Sequence, residues 1–450
     1  MSTTLENKPS KLQSLREAIE AGRLESLHRA LLSMSPAEIA NLLESLPVAE
    51  RQILWRTMGS DEEGEVLVHL GDEVRSGLIG ITETDELVEA ADALELDDLA
   101  DIIGDLPEAV TQRLLQSMDT QDRERLHQVL ALPEDTAGGL MNTDTVTVRA
   151  NVTVDVVRRY LRMRGDIPND TDRLFVVNRY GNYLGTLHVT ALLVNDDEVR
   201  VGEVMETGEN AINLNATAQD VARLFADRDL VSAAVVDDDG RLVGRITIDD
   251  VVDVISEQAE HNMMSMAGLD EDEDLFAPVS VSARRRAVWL GANLATAFLA
   301  AGVVGMFDET IGQVVALAVL MPVVASMGGI AGSQTLTLVI RAIALGQIES
   351  SNARLVLRQE LAVGALNGVG WALVVAAVAA LWFRSPELGV VIAAAILLNC
   401  ICAAVAGVAI PLLLRRFGVD PALAGSVVLT TVTDVVGFLA FLGLGALFLV

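Results

Sequence analysis

The sequence predicts a multi-domain fold: an all-α helical superstructure, a tandem α/β pair, and an α-helical membrane domain of five transmembrane helices. Three observations predict it. Residues 1–283 hold 56 of the 63 acidic residues and a net charge of −33, whereas residues 284–450 carry +2 and consist of long apolar runs. A helical pattern, "AEIANLLESLP" at 37–47, returns as "DDLADIIGDLP" at 97–107. A longer strand-and-helix pattern then occurs twice between residues 136 and 255. At 450 residues the chain has room for several domains.

The helical domain is assigned to residues 1–135. Beyond the repeated proline, Gln52, Leu54 and Met58 align with Gln112, Leu114 and Met118, sixty positions on. Apolar residues at helical spacing, punctuated by proline, describe short helices stacked for contacts. No catalytic constellation is visible, and an enzyme is not expected. The dense acidity repels nucleic acid and attracts cations, so divalent cations are the expected partners and nucleic acid is not. It also reads as ordinary solvation, and acidity alone does not separate the two. "MSTTLENKPSK" at the start is polar and lacks a signal-peptide core, which places the acidic part in the cytosol.

The α/β copies are assigned to 136–200 and 201–255. "LMNTDTVTVRANVTVDVVRRYL" resembles "VMETGENAINLNATAQDVARLF", and "LFVVNRYGNYLGTLHVTALL" resembles "AAVVDDDGRLVGRITIDDVV". Each reads strand, helix, strand, a turn carrying Gly181 or Gly240, strand, helix. The pair resembles tandem CBS (cystathionine-β-synthase) domains. In that family a Gly-x-x-Thr/Ser-x-x-Asp motif holds an adenosine ribose. The second copy has it as Gly244, Thr247 and Asp250, so the resemblance implies a site for ATP or another adenine nucleotide there. The first copy has Gly185, His188 and Ala191 and departs from the motif.

Uncharged apolar stretches follow at 287–306, 311–340, 361–383, 388–414 and 421–450, within a membrane domain of 284–450. Each meets the roughly 20-residue length needed to cross a bilayer. Arg284, Arg285, Arg286, Arg341, Arg354, Arg358, Arg415 and Arg416 fall on one side, and Arg384 alone on the other. The positive-inside rule then predicts a multi-pass protein of the inner (plasma) membrane, N-terminus cytosolic and C-terminus external. Cys400 and Cys402 read as packing residues. The second span contains "MPVVASMGGIAGSQTLT", whose proline and glycines are expected to loosen the helix beside a wet pathway.

Asp434 interrupts the fifth span, with Ser426, Thr430, Thr431 and Gly437 along its helical face. It reads as the only intramembrane acid, without a Lys, Arg or His in the spans to pair with. A carboxylate there costs at least about 2.5–3.5 kcal/mol. A structural acceptor, a proton carrier and a cation site all remain open on the residues alone.

The order of acidic helical domain, CBS pair and five spans, with "PVVASMGGIAGSQT" in the second and "TTVTD" in the fifth, resembles the MgtE family of magnesium channels and transporters across essentially the whole chain. The resemblance implies a homodimer in the lipid bilayer, with a pore lined by the second and fifth spans and Mg²⁺ held at Asp434. It implies a connecting helix, at 256–283, that closes the inner mouth when cytosolic Mg²⁺ is high. It also assigns regulatory Mg²⁺ to Asp97, Asp101, Asp229, Asp250, Asp253 and Asp420. Family acids are replaced here by Thr217, Gln219, Gln258, His261 and Asn262, while Glu257, Glu260 and the run 270–274 offer substitutes. Two other readings stand beside it: a proton- or sodium-coupled divalent-cation carrier, and a membrane-anchored CBS nucleotide sensor without transport.

Overall fold

The computed structural model describes residues 24–450 apart from 166, 169, 208–210, 270–272 and 349–351. Residues 1–23 of the helical domain and the acids at 270–272 therefore lie outside the described residues. The chain divides into two compact units, Met1–Ala259 with Asp272–Ala277, and Glu260–Glu271 with Pro278–Val450.

The first unit begins with short helices: Leu24–Leu31 (α1), Pro36–Glu44 (α2), Val48–Trp55 (α3), Ser60–Val68 (α4), Asp72–Ile79 (α5), Thr84–Asp92 (α6), Leu96–Ile103 (α7), Glu108–Ser117 (α8) and Thr120–Leu130 (α9). A capping box starts α2, with the Ser35 hydroxyl accepting from the Glu38 amide at 3.2 Å and the Glu38 carboxylate accepting from the Ser35 amide at 3.1 Å. The sixty-residue repeat is a repeat of burial. Ile39, Ala40, Leu42, Leu43 and Leu46 are buried, and so are Leu99, Ala100, Ile102, Ile103 and Leu106 at the matching positions. Pro47 and Pro107 stand immediately before α3 and α8, where a missing amide hydrogen costs nothing.

The α/β pair follows: Thr147–Val148 (β1), Val154–Arg164 (α10), Arg173–Val177 (β2), Tyr183–His188 (β3), Val189–Val194 (α11), Val201–Val204 (α12), Glu206–Thr207 (β4), Ile212–Asn213 (β5), Ala218–Arg228 (α13), Ser232–Val236 (β6) and Leu242–Thr247 (β7). One sheet runs β1-β2-β3-β4 and the other β5-β6-β7, each with a parallel first pair and an antiparallel second. The two hairpin turns are built alike. Asn178 Oδ1 accepts from the Tyr180 and Asn182 amides, and Asp237 Oδ1 from those of Asp239 and Arg241. Gly181 (φ 86°) and Gly240 (φ 74°) supply the positive φ that each turn requires.

The copies exchange edges, which the repeat boundaries at 136–200 and 201–255 do not express. Residues 137–142 pair with the second copy, through Ala137 N to Ala216 O at 2.7 Å and Asn142 N to Arg245 O at 2.8 Å. Conversely, β4 completes the first copy's sheet by pairing with β3. A strand is placed by its pairing partner, and similarity along the chain cannot report that.

The connecting helix also differs from its expected bounds. The last CBS helix and the connection are one helix, Ile248–Ala267 (α14), and the next helix begins at Val279. The residues between include Asp274, whose carboxylate receives a forked pair of bonds from Arg51 at 2.8 and 3.0 Å. Both side chains are only 5% exposed, and Arg51 also donates to the carbonyls of Leu43 and Leu46. Asp274 is therefore a structural anchor rather than a substitute ion ligand. Despite its burial, the Arg51 guanidinium holds its carboxyl below the usual range. That stabilisation is present above the ordinary carboxylate range and is lost as pH falls through the lowered value. Asp274→Ala is expected to cost about 3–5 kcal/mol by stranding a buried guanidinium. Chemical denaturation of the first unit, followed by its circular dichroism, measures it.

Among its described residues the second unit contains five helices long and apolar enough to cross a membrane: Val279–Gly305 (α15), then, after the short helix Asp308–Gln313 (α16), Val315–Ala344 (α17), Ala353–Phe383 (α18), Pro386–Arg416 (α19) and Pro421–Phe448 (α20). The fourth span, α19, is the most buried and packs against α17, α18 and α20. The second span is helical throughout despite Pro322, so the expected loosening is not seen. One face, through Leu317, Leu320, Val324, Gly328 and Thr335, is buried, and that packing outweighs one missing backbone donor. Cys400 and Cys402 are free thiols, the first buried beside Gly368.

Candidate cation sites

Asp434 lies midway along α20 and is half-buried. Among the described residues its carboxylate takes part in no hydrogen bond and no ion pair. The neighbouring hydroxyls do not serve it. Thr430 donates to Ser426 O at 2.6 Å, Thr431 to Val427 O at 2.7 Å and Thr433 to Thr430 O at 3.1 Å, all within their own helix. The small-residue side of the stripe has a packing cause, since a Cβ at Gly437 would collide with Asn399 of α19.

Asp434 is not the only acid in the bundle. The third helix begins at Ala353, ahead of the apolar run, and carries Glu360 into the bundle. The Thr335 hydroxyl of α17 donates to Glu360 Oε2 at 2.9 Å. The sequence signal was the register of Arg354 and Arg358, which extends that helix about two turns ahead of the hydrophobic segment.

In the first unit, the start of α7 and the start of α14 bring carboxylates together. Desolvation, then Glu95, raises Asp97 above its usual range; desolvation, then Asp97 and Glu95, pushes Asp98 to about 7. Asp250 rises to about 8 through desolvation and the charges of Asp97 and Asp249. Asp101 is pushed to about 7 by desolvation, Asp97, Glu134 and Glu257, against the pull of Arg75. Asp253 is raised by desolvation and Asp249, with His69 opposing. Asp101 and Asp253 keep the most open surface of these, so solvent screens them most. Asn142 bridges Glu95 and Asp97 at 2.8 and 3.1 Å.

The structure thus gathers Asp97, Asp101 and Asp250, and adds Asp98, Glu95 and Asn142, which sequence reasoning missed. Asp98 adjoins Asp97 in "DDLAD"; Asn142 carried no signal, because it reaches the cluster only through strand exchange. Among the described residues no three His, Cys, Asp or Glu close into a ready-made metal shell. Asp229 stands outside the cluster, exposed in a left-handed conformation (φ 51°) at the end of α13, and contributes to none of these shifts. Asp420 caps α20 by accepting from the Ala422 amide at 2.9 Å, and its second oxygen meets His261 Nε2 at 3.1 Å.

Several positions where the resemblance expects acids make direct contacts instead. Gln219 and Gln258 hydrogen-bond to one another, Thr217 caps α13 by accepting from the Asp220 amide, and His261 meets Asp420. At the expected nucleotide motif, Thr247 Oγ1 donates to Asp250 Oδ2 at 3.2 Å. Gly244 is required for packing, because a Cβ would lie 2.7 Å from the Met141 sulfur and 2.9 Å from Asn142 O.

Comparison with known proteins bears on the whole chain. The family model of MgtE, a divalent cation transporter, matches residues 321–444; that of the MgtE intracellular N domain matches 34–135; CBS domains match 137–196 and 201–257. A protein of Thermus thermophilus named magnesium transporter MgtE is 31% identical over 441 residues, 97% of this chain and 98% of its own. One of the same name from Bacillus subtilis is 25% identical, covering 95% of each chain. The crystal structure of the cytosolic domain of the Mg²⁺ channel MgtE in complex with ATP is 33% identical, covering 54% of this chain and 99% of that one, with a TM-score of 0.49.

Proposed function

This chain belongs to the MgtE family of divalent cation transporters, and from that premise we propose that it admits Mg²⁺ to the cytosol and closes when cytosolic Mg²⁺ fills its acidic face. The observation that carries the reading is Asp434, an acid kept in the middle of an apolar helix with no basic side chain or hydrogen-bond donor meeting it among the described residues. A divalent ion offsets the cost of that charge. One carboxylate does not neutralise Mg²⁺; two, from a symmetric homodimer, do. Mg²⁺ prefers oxygen ligands and sheds water reluctantly, so a few carboxylate and carbonyl oxygens suffice to select its hydrated form. With the N-terminus cytosolic and the C-terminus external, the orientation we propose from the arginine distribution, entry is downhill by roughly 4.6 kcal/mol per 100 mV for two charges.

Gating rests on the carboxylates of the first unit: Asp97, Asp101, Asp250 and Asp253, with Asp98 added. They offer oxygen donors alone, and repulsion among them disfavours the ionised, compact state. Mg²⁺ would supply the neutralising charge there. Asp229 and Asp420 keep their proposed gating roles without belonging to that cluster. ATP or another adenine nucleotide remains the proposed ligand of Gly244, Thr247 and Asp250; the Thr247 and Asp250 oxygens are close enough for one ribose to meet both.

The test is purified protein in liposomes loaded with a Mg²⁺ dye. Influx that follows membrane potential without a proton or sodium gradient supports the channel. Uptake that collapses with either gradient identifies a coupled carrier, and no uptake leaves the nucleotide sensor.

The raised carboxyls give a pH dependence. The folded chain retains protons that the unfolded chain, with carboxyls near 3.8, has released, so stability falls as pH rises from about 4 to about 8. Mg²⁺ is therefore expected to raise the melting temperature of the first unit more at pH 8.5 than at pH 5.5, where protons already neutralise the cluster. Equal shifts at both pH values would place bound Mg²⁺ elsewhere.

A further inference from the structure

The fourth span carries a polar group that the ion path described above does not use. Asn399 lies midway along α19 and is wholly buried. Its Nδ2 donates to Val324 O of α17 at 3.0 Å, while its Oδ1 is buried without a hydrogen-bond partner among the described residues. Two glycines make room for the amide. A Cβ at Gly328 of α17 would stand 2.1 Å from Nδ2 and 2.9 Å from Oδ1; one at Gly437 of α20 would stand 2.6 Å from Nδ2. The second and fifth spans therefore both come up against one amide of the fourth, each at a residue without a side chain. Gly437 lies three residues beyond Asp434, adjacent on the same helical surface.

Helix packing alone accounts for the glycines and for the bond to Val324. It does not account for the unpaired oxygen, because burying an amide acceptor without a donor is unfavourable and an apolar residue would avoid it. We infer that Asn399 is a positioning residue of the ion path: its amide sets the separation of the second and fifth spans beside Asp434, and so the size of cation that passes. The inference rests on the reading of Asp434 as the ion site.

Mg²⁺ and Ca²⁺ distinguish it, since Ca²⁺ is larger and tolerates looser coordination. Full-length wild type, Asn399→Ala and the milder Asn399→Ser are reconstituted in liposomes, and influx of each ion is read with its own dye. The ratio of the two fluxes does not depend on how much protein folds. Asn399→Ala is expected to shift that ratio towards Ca²⁺ by about fivefold, the worth of one ordinary hydrogen bond, with a smaller shift in Asn399→Ser. If the alanine variant does not fold, the serine variant alone decides the question. A ratio equal to wild type, with both fluxes lowered in proportion to the protein recovered, would overturn the inference and leave Asn399 a packing residue. A wild type that carries neither ion would overturn the functional reading itself, and this inference with it.

Discussion

Asp434→Ala is expected to reconstitute in normal yield, as the same oligomer, and to carry no Mg²⁺. The variant removes an unpaired carboxylate from the middle of a membrane helix, so nothing structural is lost; the fold is relieved of a cost of at least about 2.5–3.5 kcal/mol. Flux and stability should therefore move in opposite directions. Asp434→Asn retains an oxygen but not the charge, and hydrogen bonds from the ion's water to a charged acceptor are roughly twice as strong as to a neutral one. Its flux should fall by at least about tenfold, a loss of about 1.4 kcal/mol in binding. Normal Mg²⁺ flux in both variants would sink the pore assignment.

The second large effect is expected at the acidic face. Asp97→Asn with Asp250→Asn removes two buried carboxylates, of which Asp97 raises the affinity of Asp250 for its proton. Without Mg²⁺ the double variant should be more stable than wild type at pH 8.5, because the repulsion is gone. With Mg²⁺ the order should reverse, each lost carboxylate weakening the ion by about tenfold, or roughly 1.4 kcal/mol. Protease protection of α14, titrated with Mg²⁺, follows closure directly. Protection in the variant at the wild-type Mg²⁺ concentration would place the sensor on other carboxylates. No Mg²⁺-dependent protection in the wild type would argue against a Mg²⁺-closed gate.

Much of this molecule was legible in one dimension because its physics is local or periodic. Apolar runs of bilayer length need no partner to be recognised, and five such helices are present among the described residues. The sixty-residue repeat carried its burial with it, Leu54 and Leu114 alike being fully buried, since helical spacing selects which side chains turn inward. Asp434 announced itself by chemistry alone: a charge in hydrocarbon is costly wherever the helix ends up.

Tertiary structure decided what depended on a partner distant in the chain. Asp274 read as a spare acid until Arg51, 223 residues away, proved to hold it. Asn142 joined the acidic face only because the opening residues of the first α/β copy pair with the second. Glu360 and Asn399 are ordinary residues in their own segments; Thr335 and Gly328 on a neighbouring helix make them singular. Composition and spacing determine which elements form and which charges are costly. Which carboxylate faces another carboxylate, and which faces an arginine, follows from packing among segments far apart in the sequence, and that contact decides whether an acid joins a cluster of like charges or serves as an anchor.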